Sequence, residues 1–384
     1  MKNKKTVLIL CDWFLPGYLA GGPIRSIANL TQELEDIYNF KIITTDRDFK
    51  STSPYENIKV NEWTSTKGRS VFYLSPTKLN GKFILHLISN TPHDILYLNS
   101  MFSFPFTIRP LIWKKYKKIN SSIILAPRGM LGDGAMKIKP IKKKLFIMTG
   151  KLLGWFNKII WHSTSKHETK DIKKRISEKL ILFEAPNFTS SILNFTPIEK
   201  SPGELKLCFV SRITSKKNLL YAINTLDKIQ KTKITLNIYG PIEDVDYCNA
   251  CIKAAEKLPT SVQMNFKGSF KSEEITKIVS EHHALFLPTL NENYGHVIVE
   301  TLQCGRPVII SDQTPWRNLE IEKAGFDIPL GNQEKYIRSI LELAEMTQSK
   351  FNEICSSSAL YIQEKIDKKS IIHNYKELFS FIEP

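Results

Sequence analysis

What most constrains this chain is an alternation of short buried-strand runs with helical patterns that occurs twice. Apolar runs at Thr6 to Cys11, Lys41 to Thr45, Ser70 to Leu74, Asp94 to Leu98, Ser122 to Ala126 and Leu180 to Glu184 have strand length, and helical spacing fills the intervals at Pro23 to Leu34, Phe104 to Lys118 and Lys166 to Ile176. After Ala185-Pro186-Asn187-Phe188-Thr189 and an irregular run to Pro202-Gly203, the pattern restarts. Strand runs at Leu205 to Ser211, Ile234 to Tyr239, Val262 to Phe266, Ala284 to Leu287 and Val308 to Ile310 enclose helices at Lys216 to Ile229 and Val245 to Lys257. Strands alternating with helices predict an α/β fold whose mostly parallel sheets are covered on both faces. A length of 384 residues suits two such domains. The expected division is 1–188 for the first domain, 189–203 for a linker, 204–365 for the second, and 366–384 for a C-terminal helix packing back on the first.

The most informative run is Leu287 to Asp312, which reads as a strand end, a turn, a short helix from Tyr294 to Cys304, and the next buried strand. Glu292 lies before the first turn and Glu300 eight residues on, about two helical turns later. Both can face one polar ligand along the carboxyl edge of the sheet, where open α/β sheets bind ligands. A surface turn carrying two solvated glutamates is the plain alternative. The loop after the first strand supplies Gly21-Gly22-Pro23 at a helix start, where glycine lets backbone approach a ligand and helix N–H groups suit an anion. In the second half, Arg212 follows a strand end and Lys217 opens the next helix. Two cations at a strand's carboxyl end can neutralise a diphosphate.

The net charge of +16 lies entirely in the first half: residues 1–200 hold 32 lysines and arginines against 15 acids, and residues 201–384 hold 22 against 23. From Met136 to Lys158 there are seven lysines and no acid, interleaved with Leu145, Phe146, Ile147, Met148, Leu152, Leu153, Trp155 and Phe156. A lysine-rich helix with an apolar face fits an anionic membrane surface, and a helix whose apolar side covers the domain core has the same pattern. No run reaches the roughly 20 apolar residues of a membrane-spanning helix, and the start of the chain is unlike a signal peptide. The six cysteines, including the Cys248-x-x-Cys251 pair, fit buried thiols of a reducing compartment. The acidic pairs Asp46-Arg47-Asp48 and Asp244-Val245-Asp246 are short clusters of the kind that can hold a divalent ion, though such pairs are common by chance.

Taken in order, the early Gly-Gly loop, Arg212 with Lys217, the Glu292-to-Glu300 spacing and the Gly305-Arg306-Pro307-Val308-Ile309-Ile310-Ser311-Asp312 continuation resemble the family 4 retaining glycosyltransferases of the GT-B fold, and the likeness spans nearly the whole chain. The resemblance implies two Rossmann-like domains whose parallel sheets face a central cleft, with a nucleotide-sugar donor held mainly by the second. It implies that Arg212 and Lys217 hold the leaving diphosphate. Glu292, with the backbone of Asn293, Tyr294 and Gly295, would hold the transferred sugar and phosphate, and Glu300 the ribose. Gly21 and Gly22 would approach the donor phosphates and the acceptor. Gly240 and Phe270 would sit near the nucleobase, and neither metal nor other cofactor is expected.

Two positions depart from the family pattern. Relatives carry histidine where this chain has Arg128, in Pro127-Arg128-Gly129-Met130-Leu131. Arginine stays protonated, so the expected work at that acceptor-side position is to bind an anionic group. Phe188 stands where a linker glycine is usual. The expected activity is retaining transfer of a hexosyl or N-acetylhexosaminyl group to a polyprenyl-diphosphate-linked glycan acceptor in O-antigen, capsule or exopolysaccharide synthesis. The protein would be cytoplasmic and peripheral on the inner face of the plasma membrane. A nucleotide-sugar epimerase of the same architecture is the runner-up, and a non-catalytic basic lipid- or nucleic-acid-binding protein a third reading. No nucleic-acid motif accompanies the basic half, so no nucleic-acid partner is expected.

Overall fold

The computed structural model describes residues 4–66, 68–189 and 197–381. Residues 190–196 of the expected linker, and the chain ends at 1–3 and 382–384, lie outside the described residues. The chain divides into two compact units, one of residues 1–188 with 368–384 and one of residues 189–367.

The first unit runs β1 (Thr6–Leu10), α1 (Gly22–Glu33), β2 (Asn39–Thr45), β3 (Trp63–Thr66), β4 (Arg69–Leu74), α2 (Gly81–Ser89), β5 (Ile95–Asn99), α3 (Arg109–Lys115), β6 (Ser122–Ala126), α4 (Asp133–Met136), α5 (Pro140–Leu152), β7 (Ile160–Ser163), α6 (Lys166–Arg175) and β8 (Ile181–Glu184). The second runs β9 (Glu204–Val210), α7 (Leu219–Leu226), β10 (Lys233–Tyr239), α8 (Val245–Ala255), β11 (Val262–Gly268), α9 (Ile275–Ser280), β12 (Ala284–Leu287), α10 (His296–Gln303), β13 (Val308–Ser311), β14 (Gly325–Ile328), α11 (Gln333–Glu345) and α12 (Gln348–Lys365). The last helix, α13 (Lys368–Ser380), belongs to the first unit.

The first sheet has the order β3-β4-β2-β1-β5-β6-β7-β8, parallel except where β3 pairs antiparallel with β4. The second has the order β11-β10-β9-β12-β13-β14 and is parallel throughout. Strands β5, β12 and β13 are buried along their whole length, as apolar strands covered on both faces must be. In each sheet the strand order reverses at the first strand: β1 has β2 on one side and β5 on the other, and β9 has β10 and β12. Open α/β sheets bind ligands beyond the carboxyl ends of strands at such reversals. The loops leaving β1, β5, β9 and β12 are therefore the ones placed to carry chemistry.

Two expected helices are broken. The run from Phe104 begins with a single π-helical turn, Phe104–Ile108, and α3 ends at Lys115; Pro105 and Pro110 each sit in a first turn, where an amide donor is dispensable. The run from Lys216 is interrupted by Asn218 in the left-handed region at φ 63°, which separates a 3₁₀ turn, Ser215–Lys217, from α7. Phe188 is buried rather than hinge-like: its ring stacks on Tyr375 of α13 at 5.2 Å and its carbonyl accepts from Asn29 Nδ2 at 3.0 Å.

Both units bury neutral histidines. His162 accepts at Nδ1 from Tyr97 Oη (2.5 Å) and donates from Nε2 to Ala185 O (2.8 Å). Burial, and then the Arg128 charge, bring its pKa down to about 3, and burial brings His283 in the second unit down to about 4. Unfolding frees each to titrate near its ordinary 6.5. Their contribution is thus complete above pH 6.5 and is lost as pH falls toward those values, at up to about 1.4 kcal/mol per pH unit for each. Urea midpoints are expected to fall steadily from pH 6.5 to 4.5; a flat profile would contradict the buried neutral assignment.

Candidate active site

In the second unit the loops after β9 and β12 are tied together before any side chain is considered. Leu290 N–H donates to Lys216 O (2.9 Å), Thr289 Oγ1 donates to the same carbonyl (3.2 Å), and Asn218 Nδ2 donates to Pro288 O (3.0 Å). The left-handed Asn218 thus turns the end of the 3₁₀ segment toward the end of β12. The consequence is that Lys217 Nζ and the Glu292 carboxylate form an ion pair whose side chains are 13% and 16% exposed. The sequence treats these residues as separate actors; the fold makes them one unit. Burial pushes the Glu292 carboxyl up, but the Lys217 and Lys216 charges, the Lys217 hydrogen bond and the Arg212 charge outweigh it and hold it below the ordinary carboxylate value. Glu292 is therefore an anion set among three cations.

Arg212, just past β9, donates from Nη1 to Glu243 Oε2 at 2.6 Å. Glu243 follows the turn that ends β10, where Gly240 has φ 143° and a Cβ would lie 2.0 Å from Ser211 O. Glycine there is what lets the β10 turn press against the β9 loop. Phe270, expected near a nucleobase, lies edge-on to Tyr239 at 6.5 Å and is packed against the second unit's core.

Gly295 is the N-cap of α10 in left-handed conformation at φ 78°, with no side-chain cap. A Cβ there would meet Ile298 Cδ1 at 2.8 Å and Glu292 Cγ at 3.1 Å, so glycine is required both by conformation and by Glu292 itself. Asn293 and Tyr294 complete the turn; Tyr294 is buried against Trp316, whose Nε1 donates to Tyr294 O at 2.5 Å. Glu300 lies on α10 and is buried, as is His296 one turn earlier. The fold thus gathers Arg212, Lys217, Glu292, Asn293, Tyr294, Gly295 and Glu300 around the β9/β12 reversal, where a helix N-terminus and two cations favour an anion.

The first unit carries Gly21, Gly22 and Arg128. Gly21 has φ 71° and ψ −126°, a backbone state confined almost wholly to glycine, while a Cβ on it would meet nothing within 4 Å. Conformation, not crowding, demands glycine there, and the open space before Gly22, the first residue of α1, suits close approach by a ligand. Asp48 shapes the loop leading to it, accepting Tyr18 N–H (2.7 Å), Leu19 N–H (2.9 Å) and Phe49 N–H (2.7 Å). Asp46 pairs with Arg47, and Asp244 caps α8 by accepting Tyr247 N–H. Among the described residues no group of three or more histidine, cysteine or acidic side chains is arranged to hold a metal ion. All six cysteines are buried and unbridged. At the β1/β5 reversal, Ser103 Oγ donates to Asp12 Oδ1 (2.6 Å), a carboxylate the sequence did not single out because nothing local marks it.

Arg128, expected to bind an anion on the acceptor side, is held by partners within the first unit. Its Nε and Nη2 donate to Asn99 Oδ1 (3.1 and 2.7 Å), Nη2 also to Tyr97 Oη (3.0 Å), and Nη1 to Asn187 Oδ1 (2.7 Å). Tyr375 of α13 hydrogen-bonds it as well. The guanidinium is an internal brace joining β5, the segment after β8 and α13. Only tertiary structure assembles those partners, so no sequence signal points to them.

Comparison with known proteins agrees with this geometry. Residues 193–359 match the family described as glycosyl transferases group 1. Sucrose-phosphate synthase of Thermosynechococcus elongatus superposes with a TM-score of 0.74 at 14% identity over 98% of each chain. HepE of Anabaena, in complex with UDP and glucose, superposes at 0.70 and 14% identity over 98% of this chain and 99% of that one. A Klebsiella pneumoniae protein described only as an uncharacterized 41.2 kDa protein in the cps region is 22% identical over 82% of this chain and 86% of its own length. The fold these superpositions show is GT-B. Over residues 193–359, less than half of its length, this chain is similar to the glycosyl transferases group 1.

Proposed function

We propose that the protein is a retaining glycosyltransferase that moves a hexosyl or N-acetylhexosaminyl group from a nucleoside-diphosphate sugar to a lipid-linked glycan acceptor in surface polysaccharide synthesis. The observation that carries the donor side is the Lys217–Glu292 pair beside Arg212 at the β9/β12 reversal. Such a site stabilises charge on a leaving diphosphate with fixed cations and a helix N-terminus, which is the largest task in this chemistry. Charge neutralisation falls to Arg212 and Lys217 without a divalent ion, Glu292 holds the transferred sugar, and Glu300 the ribose. The UDP and glucose held by HepE and the cps-region origin of the Klebsiella relative support a nucleotide-sugar donor and a polysaccharide product.

The lipid-linked acceptor is argued from α5. Ile147 and Phe156 enter the first unit's core, and Phe146 and Trp155 pack against it. Yet Ile141, Leu145, Met148 and Leu152, spaced at helical intervals, are 80%, 55%, 62% and 84% exposed. They form an outward apolar stripe about 16 Å long. Lys142, Lys144 and Lys151 are exposed beside it, while Lys143 turns inward to Ala135 O at 2.6 Å. Apolar anchors flanked by lysines, each adding about 1 kcal/mol near anionic lipid, suit a peripheral site on the inner leaflet of the plasma membrane. No helix among the described residues is long and apolar enough to cross a membrane. Replacing Leu145, Met148 and Leu152 together by serine is expected to abolish flotation with anionic vesicles and transfer to vesicle-borne acceptor, while transfer to a soluble acceptor persists. Equal flotation of both forms, or of the wild type with neutral and anionic vesicles, would refute the membrane assignment.

A further inference from the structure

We propose that Glu243 is a positioning residue that sets the guanidinium of Arg212 for the donor diphosphate, an inference that rests on Arg212 being a diphosphate ligand. Glu243 is held as few surface glutamates are. The loop after β10 is zipped to the loop after β9 by Ser211 N–H to Tyr239 O (2.9 Å), Ile213 N–H to Pro241 O (2.9 Å), and Glu243 and Asp244 N–H to Ile213 O (3.2 Å each). Ile213 and Ile242 add a parallel bridge, and Gly240 permits the close approach. Asp244 then fixes the start of α8 by accepting Tyr247 N–H at 3.0 Å, and Tyr247 Oη accepts Leu220 N–H at 2.9 Å, tying this turn to α7. The carboxylate therefore stands on a rigid frame opposite Arg212.

Arg212 Nη1 donates to its Oε2 at 2.6 Å. A guanidinium is a planar fork, so fixing one nitrogen orients the whole plane. Arg212 and Glu243 are 32% and 30% exposed, open enough to reach a ligand and too open for the pair to be a stability device. Its value lies in removing rotamer freedom from a flexible cation that must meet developing charge, where small misplacement costs about 10–100-fold.

The test uses UDP, GDP and ADP as probes, taking whichever binds the wild type most tightly, with donor kinetics alongside. Glu243→Ala is expected to lower kcat about tenfold and weaken nucleoside diphosphate binding about fivefold, while Glu243→Gln, which keeps the acceptor oxygen, stays within threefold of wild type. On an Arg212→Ala background, Glu243→Ala should cause no further loss of binding, because a positioning residue has nothing left to position. A loss that persists on that background, or wild-type behaviour of Glu243→Ala where Arg212→Ala is impaired, would overturn the inference. Full turnover by Arg212→Ala itself would instead overturn the assignment of Arg212 on which it rests.

Discussion

In an Arg212→Ala or Lys217→Ala variant, sugar transfer is expected to fall by about 10²–10³-fold or more, the scale seen when one fixed donor to developing charge is removed. The two substitutions differ in what they do to the fold. Arg212 shares a half-exposed pair with Glu243, so its removal should change stability by no more than about 1 kcal/mol. Lys217 shares a nearly buried pair with Glu292. Removing the lysine leaves a carboxylate enclosed without its partner, at a cost of about 3 kcal/mol. The double variant Lys217→Met with Glu292→Gln removes both charges and should regain that stability without regaining turnover. Urea unfolding and steady-state kinetics on the same preparations separate the effects. Retained turnover in either single variant would show that the residue replaced does not serve the diphosphate, and recovery of activity in the double one would show that Lys217 serves the fold alone.

The second large effect divides the two glutamates of the β12–α10 segment. Glu292 stands at the entrance of α10 among Arg212, Lys216 and Lys217, and Glu300 lies buried about one turn into the helix. Glu292→Gln should lower kcat about 100-fold while changing nucleoside diphosphate affinity by less than about threefold, because the proposed function gives it the sugar being moved. Glu300→Gln should weaken nucleotide binding about tenfold, equivalent to about 1.4 kcal/mol, with kcat nearly kept. Since Glu292 is held below the ordinary carboxylate value, its ionisation should leave no inflection in kcat between pH 5 and 8. Equal losses of nucleotide affinity in both variants would refute the division of tasks.

The sequence carried the site further than it carried the folding details. The strands that anchor both reversals are predominantly apolar, so β1, β5, β9 and β12 are all legible, and with them the loops that bear Gly21, Arg212 and Glu292. The strands β3 (Trp63–Thr66), β7 (Ile160–Ser163) and β14 (Gly325–Ile328) mix polar residues or glycine into four positions and do not stand out as apolar runs. The helical pattern from Lys216 to Ile229 is real, but propensity alone does not reveal that Asn218 breaks it by adopting φ 63°. That break decides the site, because it brings Lys217 onto Glu292. Arg128 shows the opposite limit. Its neighbours in sequence suggest a residue offered to a ligand, whereas Asn99, Asn187, Tyr97 and Tyr375 come from distant parts of the chain and occupy it. The lysine-rich α5 was legible as amphipathic, yet only the fold shows that it is apolar on two sides, with Ile147 inward and Met148 outward.

Release of nucleoside diphosphate from UDP-, GDP- and ADP-sugar donors, with and without a glycan acceptor, tests the assignment as a glycosyltransferase most directly. One donor is expected to be consumed only when acceptor is present, yielding nucleoside diphosphate and glycosylated acceptor in equal amounts, with the donor's anomeric configuration retained in the product. Donor turnover to free or epimerised sugar without acceptor, or no consumption of any donor by a protein that binds DNA with steep salt dependence, would contradict it.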